Sequence, residues 1–118
     1  MKDIYISAEE ALGQVENETA VLIDVREPFE VENVWIDRED VLKIPYASLE
    51  ERKEELPKNK RLIVCCAVGL VSEIAALQLR EDGYEAVGLK DGLVGWKRAG
   101  FALKTVEEAQ CKCKCCEQ

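Results

Sequence analysis

The chain has 118 residues, enough for one domain with a hydrophobic core, and no apolar run approaches the roughly 18 residues needed to span a bilayer. Its formal net charge of -8 argues against nucleic acid and anionic membranes as partners, since both attract basic surfaces. The sequence contains no histidine, which excludes Ser-His-Asp and Cys-His catalysis, and no signal-peptide core follows residue 5, so we expect a cytoplasmic protein.

Strands and helices alternate along the first half of the chain. Residues 4–6 are a strand candidate, and Ser7 with Glu10 three residues later is a capping box that predicts a helix to residue 13. Residues 20–25 form a continuous apolar run, typical of a strand buried on both faces. The other predictions for this half are a short helix opened by Pro28, an irregular charged segment at 33–40 and a weak strand at 41–44.

The second half continues the alternation. Ser48 and Glu51 predict another capping box, which starts a helix that ends before Pro57. Residues 62–65 are a strong candidate for a buried strand. The remaining elements are a helix at 72–81, a strand at 86–89, and a turn at 91–92 into a brief helix whose Trp96 is expected to anchor the core. This order predicts an α/β fold with a mostly parallel sheet and helices on both faces.

Cys66 occupies a position at which chemistry is expected. It follows a buried strand and precedes a helix, and in open parallel sheets ligands bind beyond the carboxyl ends of the strands. Backbone N–H groups and the positive helix end would stabilise a thiolate or a persulfide anion there, with Gly69 allowing the loop to curl around the sulfur. The alternative is that Cys66 is a small buried hydrophobe. Cys65 should point to the opposite face of the sheet and be structural.

Six sequence blocks together resemble the rhodanese family over about residues 4–101. They are residues 21–28 (VLIDVREP), the pair Ile44-Pro45, residues 55–60 (ELPKNK), 63–66 (IVCC), 79–84 (LREDGY) and 89–96 (LKDGLVGW). The resemblance implies a parallel sheet of about five strands with helices on both faces. We expect this domain to span residues 1–103 and a cysteine-rich tail to follow at 104–118. The resemblance also implies a sulfurtransferase in which Cys66 takes the outer sulfur of a donor, holds it as a persulfide and passes it to a thiol acceptor, without a cofactor. Asp24 and Arg26 would form a structural ion pair.

The loop after Cys66 departs from the family pattern. Its predicted persulfide-binding residues are Ala67, Val68, Gly69, Leu70, Val71 and the helix N-cap Ser72. The typical arginine after the cysteine is replaced by alanine, and the basic residue near the loop end by valine, so a dianion such as thiosulfate would lose charge-assisted hydrogen bonds of about 1.5–3 kcal/mol each. We therefore expect a neutral or protein-bound persulfide donor. The length of six residues resembles sulfur-transferring members, and the absence of a terminal arginine argues against a phosphatase.

A second departure lies at residues 34–41, which replace the family's Gly-His-Ile-Pro-Gly-Ala stretch. Trp35 in this segment is a candidate to line or cover the mouth of the pocket.

The tail lies outside the resemblance and carries four thiols: Cys111, Cys113, Cys115 and Cys116. Lys112 and Lys114 between them would favour thiolates. Three hypotheses remain open: a relay that receives sulfur from Cys66, a site for a soft metal such as Zn²⁺ or Cu(I), or a tail without a role. The alternative to a sulfurtransferase is thus a catalytically silent binding module whose tail binds metal. The oligomeric state is not predicted by the sequence.

Overall fold

The computed structural model describes residues 4–38, 40–67, 70–101 and 103–105. Its centre is a sheet of five parallel strands: Tyr5–Ile6 (β1), Ala20–Asp24 (β2), Leu42–Lys43 (β4), Arg61–Cys65 (β5) and Ala86–Leu89 (β6). Their order across the sheet is β1-β6-β5-β2-β4. The two long apolar runs, β2 and β5, pair in the middle of the sheet, where both faces are covered, as their continuous hydrophobicity predicts. The predicted α/β parallel-sheet fold is confirmed.

The described ranges contain five α-helices: Ala8–Glu16 (α1), Pro28–Asn33 (α2), Leu49–Arg52 (α3), Leu70–Glu81 (α4) and Gly92–Arg98 (α5). All but α2 contribute side chains to the two clusters that cover the sheet. Side chains of α1 and α5, including Trp96, pack in one buried cluster with Leu22 and Ile63. Side chains of α3 and α4 pack in a second cluster with Ile23 and Val64. Because successive strand residues face opposite sides, each central strand contributes to both clusters.

The two predicted capping boxes have different outcomes. Ser7 caps α1 as predicted: its Oγ accepts from the Glu10 N–H at 3.2 Å and donates to the Glu10 carboxylate at 3.3 Å. The prediction for Ser48 is wrong, because its side chain makes no capping hydrogen bond. A 3₁₀ turn over Tyr46–Ser48 already leads into α3, so the Ser48 backbone is helical rather than extended.

One strand of a separate two-stranded ribbon lies within the segment predicted to be irregular. Val34–Ile36 (β3) pairs antiparallel with Leu103–Thr105 (β7), with Val34 opposite Thr105. The predicted boundary between domain and tail, after residue 103, therefore falls inside a strand that continues for two more residues. Within the described ranges, no helix is long and apolar enough to cross a membrane.

Candidate active site

Cys66 lies directly beyond the carboxyl end of β5, at the wall of a cavity of about 270 Å³. Only 5% of the residue is exposed to solvent, and it lies in the buried cluster of the α3 and α4 face. The other described lining residues come from the ends of β2, β4 and β5 and from the starts of α2 and α4: Val25, Arg26, Glu27, Glu30, Tyr46, Ala67, Leu70 and Val71. The cavity thus occupies the position at which parallel sheets bind ligands.

The start of α5 fixes the backbone of the Cys66 loop. The N–H of Leu93 donates to the carbonyl of Cys66 at 2.9 Å, and the N–H of Val94 donates to the carbonyl of Ala67 at 3.3 Å. Since the carbonyl and N–H of a trans peptide point in opposite directions, the N–H of Ala67 is directed away from α5. Gly92 has a φ of 55°, and a Cβ there would collide with the carbonyl oxygens of Cys66 and Ala67. A glycine is therefore required for α5 to approach the loop so closely.

The adjacent Cys65 has the opposite environment. Its side chain is fully buried in the cluster beneath α1 and α5, and its Sγ donates to the carbonyl of Ile23 at 3.5 Å. Burial raises the pKa of the Cys65 thiol well above its ordinary value, and the nearby Asp24 carboxylate raises it further. Cys66 belongs to the cluster on the other face. The expectation that Cys65 is structural and points away from Cys66 agrees with this placement.

Arg26 lines the cavity, but its guanidinium is bound to protein acceptors. Nε donates to Oδ1 of Asp24 at 2.9 Å, and Nη2 donates to Oδ2 at 2.8 Å and to the carbonyl of Val34 at 2.6 Å. Nη1 donates to the carbonyl of Glu30 at 3.4 Å. Both members of this ion pair are buried, so the pair braces α2 and β3 against β2. Gripping a substrate anion would require breaking these bonds, and the expected structural role of Asp24 and Arg26 agrees with the geometry.

The mouth of the cavity has an acidic side and an apolar side. Glu27 is the N-cap of α2 and Glu30 lies on its first turn, and neither carboxylate forms a salt bridge within the described part of the chain. Leu70 and Val71 of α4, which also line the cavity, are 70% and 39% exposed. Both carboxylates accept backbone N–H hydrogen bonds in the capping box that begins α2, but within the described ranges no cationic side chain neutralises them, so an incoming anion is repelled more than a neutral or cationic group.

The structure divides the predicted loop residues. Ala67, Leu70 and Val71 line the cavity with Cys66, whereas Val68 and Gly69 lie outside the described residues. Ser72 is buried and does not line the cavity.

The prediction of Ser72 as an N-cap is wrong, because α4 begins two residues earlier, at Leu70. Ser72 faces the sheet next to Gly88, where a Cβ would lie 3.3 Å from its Oγ. Because Gly88 has no side chain, Ser72 of α4 can pack against β6 at this point.

Trp35 lies away from the predicted position at the pocket mouth. It is in β3, opposite Lys104 of β7, and lines a different cavity of about 520 Å³ together with Asp37 and Arg38. Pairing of β3 with β7 holds this segment in a ribbon instead of a loop over Cys66.

The tail thiols Cys111, Cys113, Cys115 and Cys116 lie outside the described residues. The described ranges contain no group of three or more His, Cys, Asp or Glu residues that could hold a metal.

Four cavity residues are absent from the residues predicted from the sequence: Val25, Glu27, Glu30 and Tyr46. The available signal was their position, because each lies at or beyond the carboxyl end of a predicted strand. The phenol oxygen of Tyr46 accepts a hydrogen bond from Nε2 of Gln78 on α4 at 2.8 Å, which ties the wall after β4 to the helix after Cys66.

Comparison with known proteins identifies similar sequences. The family model described as a rhodanese-like domain matches residues 7–99. A sulfurtransferase from Allochromatium vinosum is 31% identical over 101 residues, which cover 83% of this chain and 92% of that protein. A tRNA sulfurtransferase from Shewanella woodyi is 36% identical over 87 residues, but the match covers 72% of this chain and only 18% of the longer protein.

Solved structures give the same result for the fold. A thiosulfate sulfurtransferase from Pseudomonas aeruginosa superimposes with a TM-score of 0.77 at 29% identity, over 87% of this chain and 20% of that one. A rhodanese-related protein from Thermoplasma volcanium superimposes with a TM-score of 0.75 at 27% identity, over 85% of this chain and 96% of that one. Most of this chain therefore shares its fold with these two structures, although it spans only a fifth of the Pseudomonas aeruginosa protein.

Proposed function

Because the chain belongs to the rhodanese-like domain family, whose members include sulfurtransferase homologues of this protein, we propose that it transfers sulfane sulfur through a persulfide on Cys66 to a thiol acceptor. The observation that carries the proposal is the position of Cys66 directly beyond the carboxyl end of β5, among the residues that line a cavity. Rhodanese-type sulfur transfer is the activity that the homologues support.

The chemistry consists of two displacements at sulfur. The thiolate of Cys66 attacks the outer sulfur of a donor persulfide, so a bond to Cys66 Sγ forms, the donor S–S bond breaks and the donor leaves as a thiolate. An acceptor thiolate then attacks the same outer sulfur, and Cys66 leaves as a thiolate. The sulfur atom moves without net oxidation or reduction, so neither an oxidant nor a cofactor is required.

The cavity favours donors of low negative charge. Thiosulfate carries two negative charges, and the one guanidinium in the described wall, that of Arg26, is bound to Asp24 and to carbonyl groups. Glu27 and Glu30 add repulsion at the mouth. Bringing a dianion into the cavity costs desolvation free energy that charge-assisted hydrogen bonds would have to offset. A persulfide on a small zwitterion or on a protein carries less negative charge and avoids most of that cost.

Donor preference is measured by the rate at which the reduced protein gains one sulfur atom by intact mass, with thiosulfate and with cysteine persulfide. We expect cysteine persulfide to react at least about tenfold faster, since one lost charge-assisted bond is worth about one order of magnitude. The double variant Glu27→Gln/Glu30→Gln should accelerate thiosulfate selectively. Gln can retain the hydrogen bonds between residues 27 and 30 that begin α2, so the change is mainly one of charge.

Two variants serve as controls for this experiment. Cys66→Ser should remove the sulfur gained by the peptide of residues 62–80, located by peptide mass spectrometry. Glu51→Gln/Glu54→Gln changes two exposed carboxylates, one on α3 and one on the 3₁₀ turn Lys53–Glu55 that follows it, and should leave the donor preference unchanged. Sulfur uptake by neither donor would contradict the proposal and favour the catalytically silent module. A faster reaction with thiosulfate would contradict the proposed donor class.

A further inference from the structure

The acidic mouth of the Cys66 cavity indicates the charge of its binding partner. Glu27 and Glu30 have no salt bridge within the described ranges, and Arg26, the nearest cation in the wall, is bound to Asp24. A segment that brings a thiol to Cys66 is therefore bound best when the thiol is flanked by positive charge.

The chain contains such a segment in its own sequence. Residues 111–116 read Cys-Lys-Cys-Lys-Cys-Cys, which alternates thiols with ammonium groups. Lys112 and Lys114 match the two glutamates in number and are opposite to them in charge. Their neighbours Cys111, Cys113 and Cys115 would then be presented to the cavity.

The last described strand ends on the side of the domain that bears this cavity. Thr105 of β7 pairs with Val34 of β3, and the carbonyl of Val34 accepts a hydrogen bond from Nη2 of Arg26 at 2.6 Å. Arg26 in turn lines the cavity with Cys66. One strand pairing and one arginine side chain therefore connect the start of the tail to the cavity wall.

The tail is long enough to bridge this separation. The path from Thr105 to Cys66 crosses two interstrand spacings of about 5 Å each, β7 to β3 and β2 to β5, together with the length of the Arg26 side chain. An extended chain reaches about 20 Å at Cys111 and about 36 Å at Cys116. The later cysteines of the segment can therefore reach Cys66 without displacing β7.

We propose that the mouth of the Cys66 cavity is the docking site of residues 111–116 and that their thiols are the first acceptors of the sulfur, an inference that rests on the persulfide chemistry proposed for Cys66. A tail thiolate attacks the outer sulfur of the Cys66 persulfide. The bond from the tail sulfur to the outer sulfur forms, the bond from Cys66 Sγ to the outer sulfur breaks, and Cys66 leaves as a thiolate. The product is a tail persulfide, with no net change in oxidation state.

The test follows the sulfur after loading. The full chain is treated with one equivalent of cysteine persulfide in the presence of a chelator and then desalted, and persulfides are trapped by alkylation at successive times and located by peptide mass spectrometry. We expect sulfur to move from Cys66 to tail peptides at a rate independent of protein concentration over a roughly hundredfold range, because the tethered segment acts at an effective concentration near millimolar. The full-length variant with Ser at positions 111, 113, 115 and 116 should retain its sulfur on Cys66.

Charge variants test the docking position itself. Glu27→Gln/Glu30→Gln should slow the transfer by about threefold to tenfold, whereas the matched exposed variant Glu51→Gln/Glu54→Gln should not change it. Equal transfer rates in these two variants would overturn the proposed docking site. A rate proportional to protein concentration would assign the acceptor to a second copy of the chain.

Failure of the proposed function has a different signature. Equally long retention of sulfur on Cys66 in the wild-type chain and in the tail variant would overturn the tail as acceptor but leave the Cys66 persulfide intact. The absence of any sulfur on Cys66 in the tail variant would contradict the persulfide chemistry, and with it the relay.

Discussion

Cys65 and Cys66 have chemically identical side chains and are adjacent in sequence, yet they belong to buried clusters on opposite faces of the sheet. Cys65 is the last residue of β5 and is enclosed beneath α1 and α5, with a raised pKa and a carbonyl as its hydrogen-bond partner. Cys66 is one residue further, on the opposite face, at the wall of a cavity. Successive side chains of a strand point to opposite faces, and β5 ends at Cys65. The two thiols therefore differ in role: Cys65 packs in the core, and Cys66 lies at the cavity.

The largest expected effect concerns Asp24, which connects the two regions. It is opposite Cys65 in the β2–β5 register and holds Arg26 at the Cys66 cavity. Asp24→Asn leaves a buried guanidinium without its counter-charge, so we expect the free energy of unfolding to fall by about 3–5 kcal/mol in urea titrations. Asp40→Asn breaks an exposed pair with Arg38 and should cost less than about 1 kcal/mol. Equal losses in the two variants would refute the bracing role of Asp24.

A somewhat smaller effect is expected on the Cys66 side alone. Gly92→Ala places a methyl group against the carbonyls of Cys66 and Ala67, and we expect a loss of about 3 kcal/mol together with a marked decrease in the rate of persulfide formation. Gly100→Ala is the matched control, because Gly100 also has a positive φ, 91°, but no atom within 4 Å of an added Cβ. That control should lose about 1 kcal/mol from backbone strain and keep its rate. Similar rates in both variants would show that the contact with α5 does not shape the site.

The smallest effect is a pH dependence on the Cys65 side. Its folded pKa is raised above the unfolded value of about 8.5, so its protonated form stabilises the fold fully below that pH. This contribution is lost as the pH rises from about 8.5 toward the folded pKa, with a slope of up to about 1.4 kcal/mol per pH unit. Cys65→Ser should remove that slope, so the stability difference between wild type and variant changes between pH 8 and 10. A difference that stays constant with pH would contradict the burial of the Cys65 thiol.

The sequence was sufficient for the sheet and for the position of Cys66. The continuous apolar runs of β2 and β5 are long enough to identify buried parallel strands, and a cysteine beyond the end of one of them lies at the ligand-binding edge by topology alone. The N-cap at Ser7 was also predictable, because Ser7 and the Glu10 N–H that it accepts from are three residues apart.

Features that depend on distant residues could not be read in the same way. β3 and β7 have three residues each and meet across about 70 positions, so neither has a pattern of its own. The same pairing moved Trp35 away from Cys66. Glutamates such as Glu27 and Glu30 are common at solvent-exposed helix starts, so the sequence does not distinguish them. Their place at the cavity mouth follows from the position of α2, whose Glu30 carbonyl accepts a hydrogen bond from Arg26.

The central claim, that Cys66 and not Cys65 carries the sulfur, is tested most directly by locating the persulfide within the tryptic peptide of residues 62–80, which contains both cysteines. After loading with cysteine persulfide and alkylation, fragment ions that separate the two residues assign the additional sulfur. We predict that it resides on Cys66, that Cys65→Ser leaves it there and that Cys66→Ser removes it. Sulfur on Cys65, or sulfur in this peptide that persists in Cys66→Ser, would contradict the assignment of Cys66 as the persulfide carrier.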